Sequence, residues 1–171
     1  MQYNLHPIFV HFPIALLFVY SIIKILPFQK WFPKVSWKHI ERALLVVGVG
    51  GAFLALATGD TAERLAHANR QLVNAHSTFA GVATWLYGAL LLGEILSVYN
   101  PKIFLKITSA SLQKVLSALE RFLTRPLFSR VIAFVALVAI SITGLLGGVI
   151  VYGTTADPIA GFVLNILGIT L

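Results

Sequence analysis

The sequence predicts an all-α membrane protein, a four-transmembrane-helix bundle with an amphipathic helix on the cytoplasmic surface between spans three and four. Three observations predict it. Hydrophobic residues make up 58% of the 171-residue chain and charged residues only 11%, against roughly 25% charged in an average soluble domain. Four apolar runs each approach the ~20 residues that cross a bilayer. Lys and Arg are shared very unequally among the connections between those runs.

The expected spans are 8–28, 40–58, 77–99 and 131–152, all in a single membrane domain covering 1–171. All four must be helical, because lipid satisfies no open backbone group. The first run is too long for a signal peptide, has no basic segment before it and lacks a small-residue cleavage site, so it is expected to stay. Lys24, Lys30, Lys34, Lys38 and Arg42 surround the first connection, and Lys102, Lys106, Lys114, Arg121, Arg125 and Arg130 the third. Only Arg64 and Arg70 lie on the other side. Basic loops stay in the cytoplasm, so both termini are expected outside it, in a multi-pass protein of the inner (plasma) membrane. The net charge of +7 is then a matter of topology, not of nucleic-acid binding.

In the third connection, Leu112, Val115, Leu116, Leu119, Phe122 and Leu123 recur at helical spacing, with Gln113, Lys114, Glu120 and Arg121 opposite. This predicts an interfacial helix over 109–124, with docking on a partner subunit as the other use of the same face. Asn100-Pro101 closes the third span, since Pro breaks helix hydrogen bonding. The tail, 153–171, opens on a turn-like stretch and is then apolar but too short to span. It is expected at the outer interface or as a cap on the bundle.

No cysteine is present, so thiolate metal sites, iron–sulfur ligation and c-type haem attachment drop out. Histidine and carboxylate remain as ligands. The topology puts His6, His11, His67 and His76 on the outer side with Asp60 and Glu63, and leaves His39 among lysines inside. At 100° per residue, His11, Ala15, Phe18 and Ile22 share a stripe, as do His76, Ala80, Ala83, Tyr87 and Glu94. Gly48, Ala52, Ala55 and Gly59 line up on the second span, and Ser141, Gly144, Gly148 and Tyr152 on the fourth. Such stripes either let helices approach closely or admit a flat ring against the backbone. His11 and His76 head spans that enter from the same side, so their imidazoles are expected at similar depth. Two such rings on different helices are what a six-coordinate b-type haem requires.

The residues thus predict a membrane electron-transfer protein with haem b held by His11 and His76. The lining would be Ala15, Phe18, Gly48, Ala52, Ala55, Ala80, Ala83, Tyr87, Gly144 and Gly148, with Arg64, Arg70 or the Thr58–Thr61 turn meeting the propionates. His6 is a further ligand or a cap residue before Pro7, and Asp60 a carboxylate that orients a ring or a residue of the turn ending the second span. His67 is expected in a solvated connection. Glu94 is expected to pair with Lys102 or Arg130, or to serve a proton path. Pro13 kinks the mouth if the helix already runs at Val10. Three alternatives stay open. One is a zinc or copper site of His6, His11, His76 and Asp60. Another is a cofactor-free accessory subunit of a larger membrane complex. The last is a quinone site in which His11 or His76 acts with Tyr87. No nucleophile–base pair or open metal triad points to a stand-alone enzyme. The partners expected are the bilayer, a redox protein or complex subunits on the outer side, and a second copy of the chain.

His6-Pro7 followed by His11-Phe12-Pro13-Ile14-Ala15-Leu16 resembles the opening signature of a bacterial family of uncharacterised membrane proteins, domain of unknown function 2231. The second span ending in Thr58-Gly59-Asp60, His76, and Gly147-Gly148-Val149-Ile150-Val151-Tyr152 are similar too. The resemblance implies a four-helix membrane domain. Relatives joined to cytochrome c-type or Rieske-type modules imply a place near electron transfer. The long basic connection goes beyond that signature.

Overall fold

A computed structural model describes residues 6–65, 69–98 and 110–170, with 6–8, 60–65 and 156 described as backbone only. Its helices in chain order are α1 (His6–Ile25), α2 (Phe28–Trp31), α3 (Trp37–Leu65), α4 (Arg70–Val98), α5 (Ala110–Thr124), α6 (Pro126–Tyr152) and α7 (Ala160–Ile166). A 3₁₀ turn at Thr154–Ala156 precedes α7, and no strand occurs among the described residues. Three segments are long and apolar enough to cross a membrane: Trp37–Gly59, Arg70–Val98 and Pro126–Tyr152. Phe9–Ile25 is a shorter apolar helix.

Element ends follow local chemistry. Pro27 disfavours helix at the residue before it, and the chain leaves α1 at Ile25. The short α2 then turns it toward α3. Asn69 caps α4 by accepting the amide of Gln71 at 2.8 Å. Its own Nδ2 donates to the carbonyl of Thr170 at 3.2 Å, tying the tail to the same corner. Arg125 is extended and Pro126 opens α6, where its missing N–H costs nothing.

The long helices differ from the expected spans mainly by running further. α3 continues helically through Gly59 and Asp60 to Leu65, so no turn ends it at Gly59. α4 begins at Arg70 and α6 at Pro126, each several residues before the apolar run. Polar residues at these ends follow the helical path because intrahelical hydrogen bonding does not require an apolar side chain. Asn100-Pro101 lies outside the described residues. α5 matches the expected interfacial helix to within a residue.

α1 packs on α3 and α6, and α4 on α6, α3 and α5. Lys24 near the end of α1 meets Glu41 near the start of α3, and Arg42 meets Glu94 near the end of α4. α3 therefore runs antiparallel to both α1 and α4, and α1 and α4 run parallel across the diagonal. One core holds Leu17, Tyr20, Leu45, Val49, Ala83, Tyr87 and the alanines Ala133, Ala136 and Ala139. A second, of Leu72, Leu146, Val149, Ala160, Leu164 and Ile169, folds the tail onto the bundle at the histidine end. Small residues set the approach distances. A Cβ at Gly48 would fall 2.7 Å from Leu17, one at Gly51 3.2 Å from Pro13, and one at Gly93 2.7 Å from Leu123. Large apolar side chains such as Leu54, Trp85 and Phe134 face outward, as a lipid-facing surface requires.

The ion pairs carry the first testable consequence. Glu41 is 6% exposed, and its Oε2 accepts from Lys24 Nζ at 2.9 Å. Glu41→Ala leaves the ammonium half-buried without a counter-charge, so it should cost about 3 kcal/mol. Combining Lys24→Met with Glu41→Leu should recover most of that. Thermal unfolding in detergent, run as a double-mutant cycle, reads both.

Candidate functional site

The two histidines expected to act together sit at the same level of the bundle. Ser21 Oγ and Tyr87 OH share a hydrogen bond of 2.7 Å across the diagonal, which marks a common depth on α1 and α4. His11 lies ten residues above Ser21 and His76 eleven above Tyr87. At 1.5 Å per residue both rings are about 15–16 Å above that bond.

Their surroundings differ. His76 lies within α4, six residues past its first residue, on the face that meets α6. Its Nδ1 is 3.0 Å from the carbonyl oxygen of Thr143. A carbonyl only accepts, so Nδ1 donates and carries the proton, which makes Nε2 the basic nitrogen. The ring lies close enough to α6 that a Cβ at Gly147 would be 3.2 Å from Cε1. Glycine at 147 is what lets the imidazole reach the backbone. The Thr143 hydroxyl donates to the carbonyl of Ala139 at 2.8 Å.

His11 belongs to an exposed stripe. Ala15 and Phe18 are exposed with it, Phe18 at 44%. The buried face of α1 is instead Pro13, Leu17, Tyr20 and Ser21. Pro13 stands inside the helix and packs beside Gly51, offering no N–H to the carbonyl of Phe9. α6 adjoins both α1 and α4, and a Cβ at Gly144 would meet nothing within 4 Å.

The remaining expected residues are scattered. Gly48 is buried in the α1–α3 packing, Ala52 belongs to the core, and Ala55 is half-buried. Ala80 is half-buried on the His76 face, one turn below the ring, whereas Ala83 is in the core. Tyr87 is fully buried, bonded to Ser21 and edge-on to Tyr20 at 6.1 Å. It lies too deep to line a space beside His76. Gly148 is half-buried. His6, Asp60, Glu63 and Arg64 are described as backbone only, and His67 lies outside the described residues. Among the described residues no three His, Asp or Glu side chains converge on a metal position. His39 is exposed in the first turn of α3.

A polar layer was not legible from the spans. Lys24–Glu41, Arg42–Glu94 at 3.0 Å, Ser21–Tyr87 and Tyr20 form a band across α1, α3 and α4 at the basic end. Glu94 pairs with Arg42, not with the Lys102 or Arg130 that the sequence suggests. The signal was present, since Glu41-Arg42 is an acid–base doublet at the head of an apolar run. Adjacent helical residues diverge by about 100° and must address different neighbours.

Fold and site together define an all-helical membrane protein with braced polar side chains near each end of the bundle. The family model described as "Predicted membrane protein (DUF2231)" matches residues 2–157, and the chain belongs to that family. No curated protein and no solved structure matches it.

The His76 arrangement has a direct spectroscopic consequence. In ¹⁵N-histidine spectra at neutral or higher pH, His76 should show the Nδ1–H tautomer with a slowly exchanging proton. Gly147→Val should abolish that signature by pushing the ring off the Thr143 carbonyl.

Proposed function

We propose that this chain is a membrane electron-transfer protein that binds haem b through His76 and His11 at the extracytoplasmic side of the inner membrane. The observation that carries the reading is the hydrogen bond from His76 Nδ1 to the Thr143 carbonyl. Ligating histidines characteristically hold their second nitrogen in such a bond, which fixes the ring and raises its basicity. His11 stands at the same depth on the parallel helix but on its exposed stripe, so this reading requires its side chain to turn toward α6 when haem binds. The open space at Gly144 and the small side chain of Ala80 suit a flat macrocycle beside α6. Arg70, exposed at the head of α4, suits a propionate. A bound haem would supply a one-electron couple, and the chain would set its orientation and the polarity around it.

In this reading Phe9–Ile25 completes a four-span bundle with the three longer segments. Eleven of the thirteen Lys and Arg residues then face the cytoplasm and both termini lie outside it.

Protein purified with haem supplied during expression should be red, with a Soret band that shifts on reduction by dithionite. His76→Ala should abolish the band, and His11→Ala should abolish it or convert it to a five-coordinate spectrum. Colourless protein under those conditions overturns the proposal. Alkaline phosphatase fused after Leu171 should be active if the C-terminus is extracytoplasmic, whereas a fusion within 30–36 should be inactive.

A further inference from the structure

The opposite end of the bundle carries a second organised surface, and it is basic. In the connection between α1 and α3, Phe28 lies 5.2 Å from Trp31 and 5.1 Å from Trp37, measured between ring centroids. Trp37 Nε1 donates to the carbonyl of Phe32 at 3.0 Å. These contacts hold a turn on which Lys30, Lys34 and Lys38 are exposed beside Trp31 and Phe32, themselves 55% and 53% exposed. Helix α5 makes a similar surface. Leu123 anchors it against Gly93 of α4, while Leu112, Val115 and Phe122 stay exposed alongside Lys114 and Arg121. Arg125 and Arg130 follow, also exposed.

Both segments stand at one level. Gly93 adjoins Glu94, and Glu94 is bonded to Arg42, one turn past Lys38. That is where the apolar segments beginning at Trp37 and Pro126 start and where the one ending at Val98 stops, so the surface borders the hydrocarbon edge. Its charge is also unbalanced. Glu41 and Glu94 are taken by Lys24 and Arg42, and those are the only ion pairs among the described residues. Glu120 alone remains against seven exposed cations.

Cations and large apolar side chains alternate along the same two segments. A soluble acidic partner would match the cations and leave the tryptophan, phenylalanine and valine side chains in water. A bilayer interface matches both, with apolar side chains entering the acyl boundary and cations meeting phosphodiesters. We propose that the turn spanning residues 28–38 and helix α5 form a collar that selects anionic phospholipid headgroups at the basic end of the bundle. This stands apart from the histidine reading.

The test uses the full chain, delipidated in mild detergent and titrated with phosphatidylglycerol or phosphatidylcholine, with retained lipid counted by native mass spectrometry. Phosphatidylglycerol should be retained about tenfold better, as several lysines near an anionic surface imply, and the preference should shrink as salt rises. K30Q/K34Q/K38Q and, separately, R121Q/R125Q should each reduce retention of phosphatidylglycerol and leave phosphatidylcholine unchanged. In a Trp85→Phe background, emission from Trp31 and Trp37 should shift to the blue on binding. Should the lysine variant not fold by circular dichroism, the salt dependence and the arginine variant decide. Equal retention of the two lipids overturns the proposal. So does an unchanged preference in both variants, displacement by free glycerol phosphate, or binding of an acidic peptide without lipid preference.

Discussion

The pairing of charges inside an apolar bundle is the constraint from which the helix arrangement follows. Glu41 and Arg42 are neighbours in sequence at the start of α3, and about 100° separates them around the helix. Glu41 finds Lys24 on α1 and Arg42 finds Glu94 on α4. Neither pair forms unless α3 lies between those two helices, antiparallel to both. An unpaired buried charge costs several kcal/mol, so alternative helix orders that separate these residues are disfavoured strongly. The pairs thus specify which helix neighbours which, a task that apolar packing in lipid does poorly because lipid and leucine are equally apolar.

Above that layer the bundle is held by close approach. Gly48 receives Leu17, Gly51 receives Pro13, and the alanines of α6 face the centre. Hydroxyls inside the helices bond backward to their own backbone, as Thr84 does to Ala80 and Thr143 to Ala139. No buried side-chain nitrogen or oxygen among the described residues lacks a partner. The His76 bond crosses to another helix, as that of Ser21 with Tyr87 does, and it lies beside Gly147.

The two ends of the molecule therefore differ in kind. The basic end is tied by ion pairs and surrounded by exposed cations and aromatics. The histidine end is closed by the tail, whose Ala160, Leu164 and Ile169 join Leu72, Leu146 and Val149, and which Asn69 holds through Thr170. Family membership adds that the chain is a membrane protein.

Much was decided by the sequence by itself: an all-helical, membrane-crossing chain, helices near the expected spans, an amphipathic helix before the last of them, and His11 and His76 at one depth. Apolar run length and helical rise determine those features locally, without reference to neighbours. Tertiary structure alone decided which faces turn inward. The stripe of His11, Ala15 and Phe18 is regular in sequence yet points outward, because Pro13 and Leu17 on the other face meet Gly51 and Gly48. Tyr87 shares a stripe with His76 yet belongs to the core, since a stripe fixes direction and not depth. Glu94 went to Arg42 because helix adjacency is a property of the whole bundle. The Thr143 carbonyl could not be foreseen as a histidine partner, since every residue carries a carbonyl and only packing selects one.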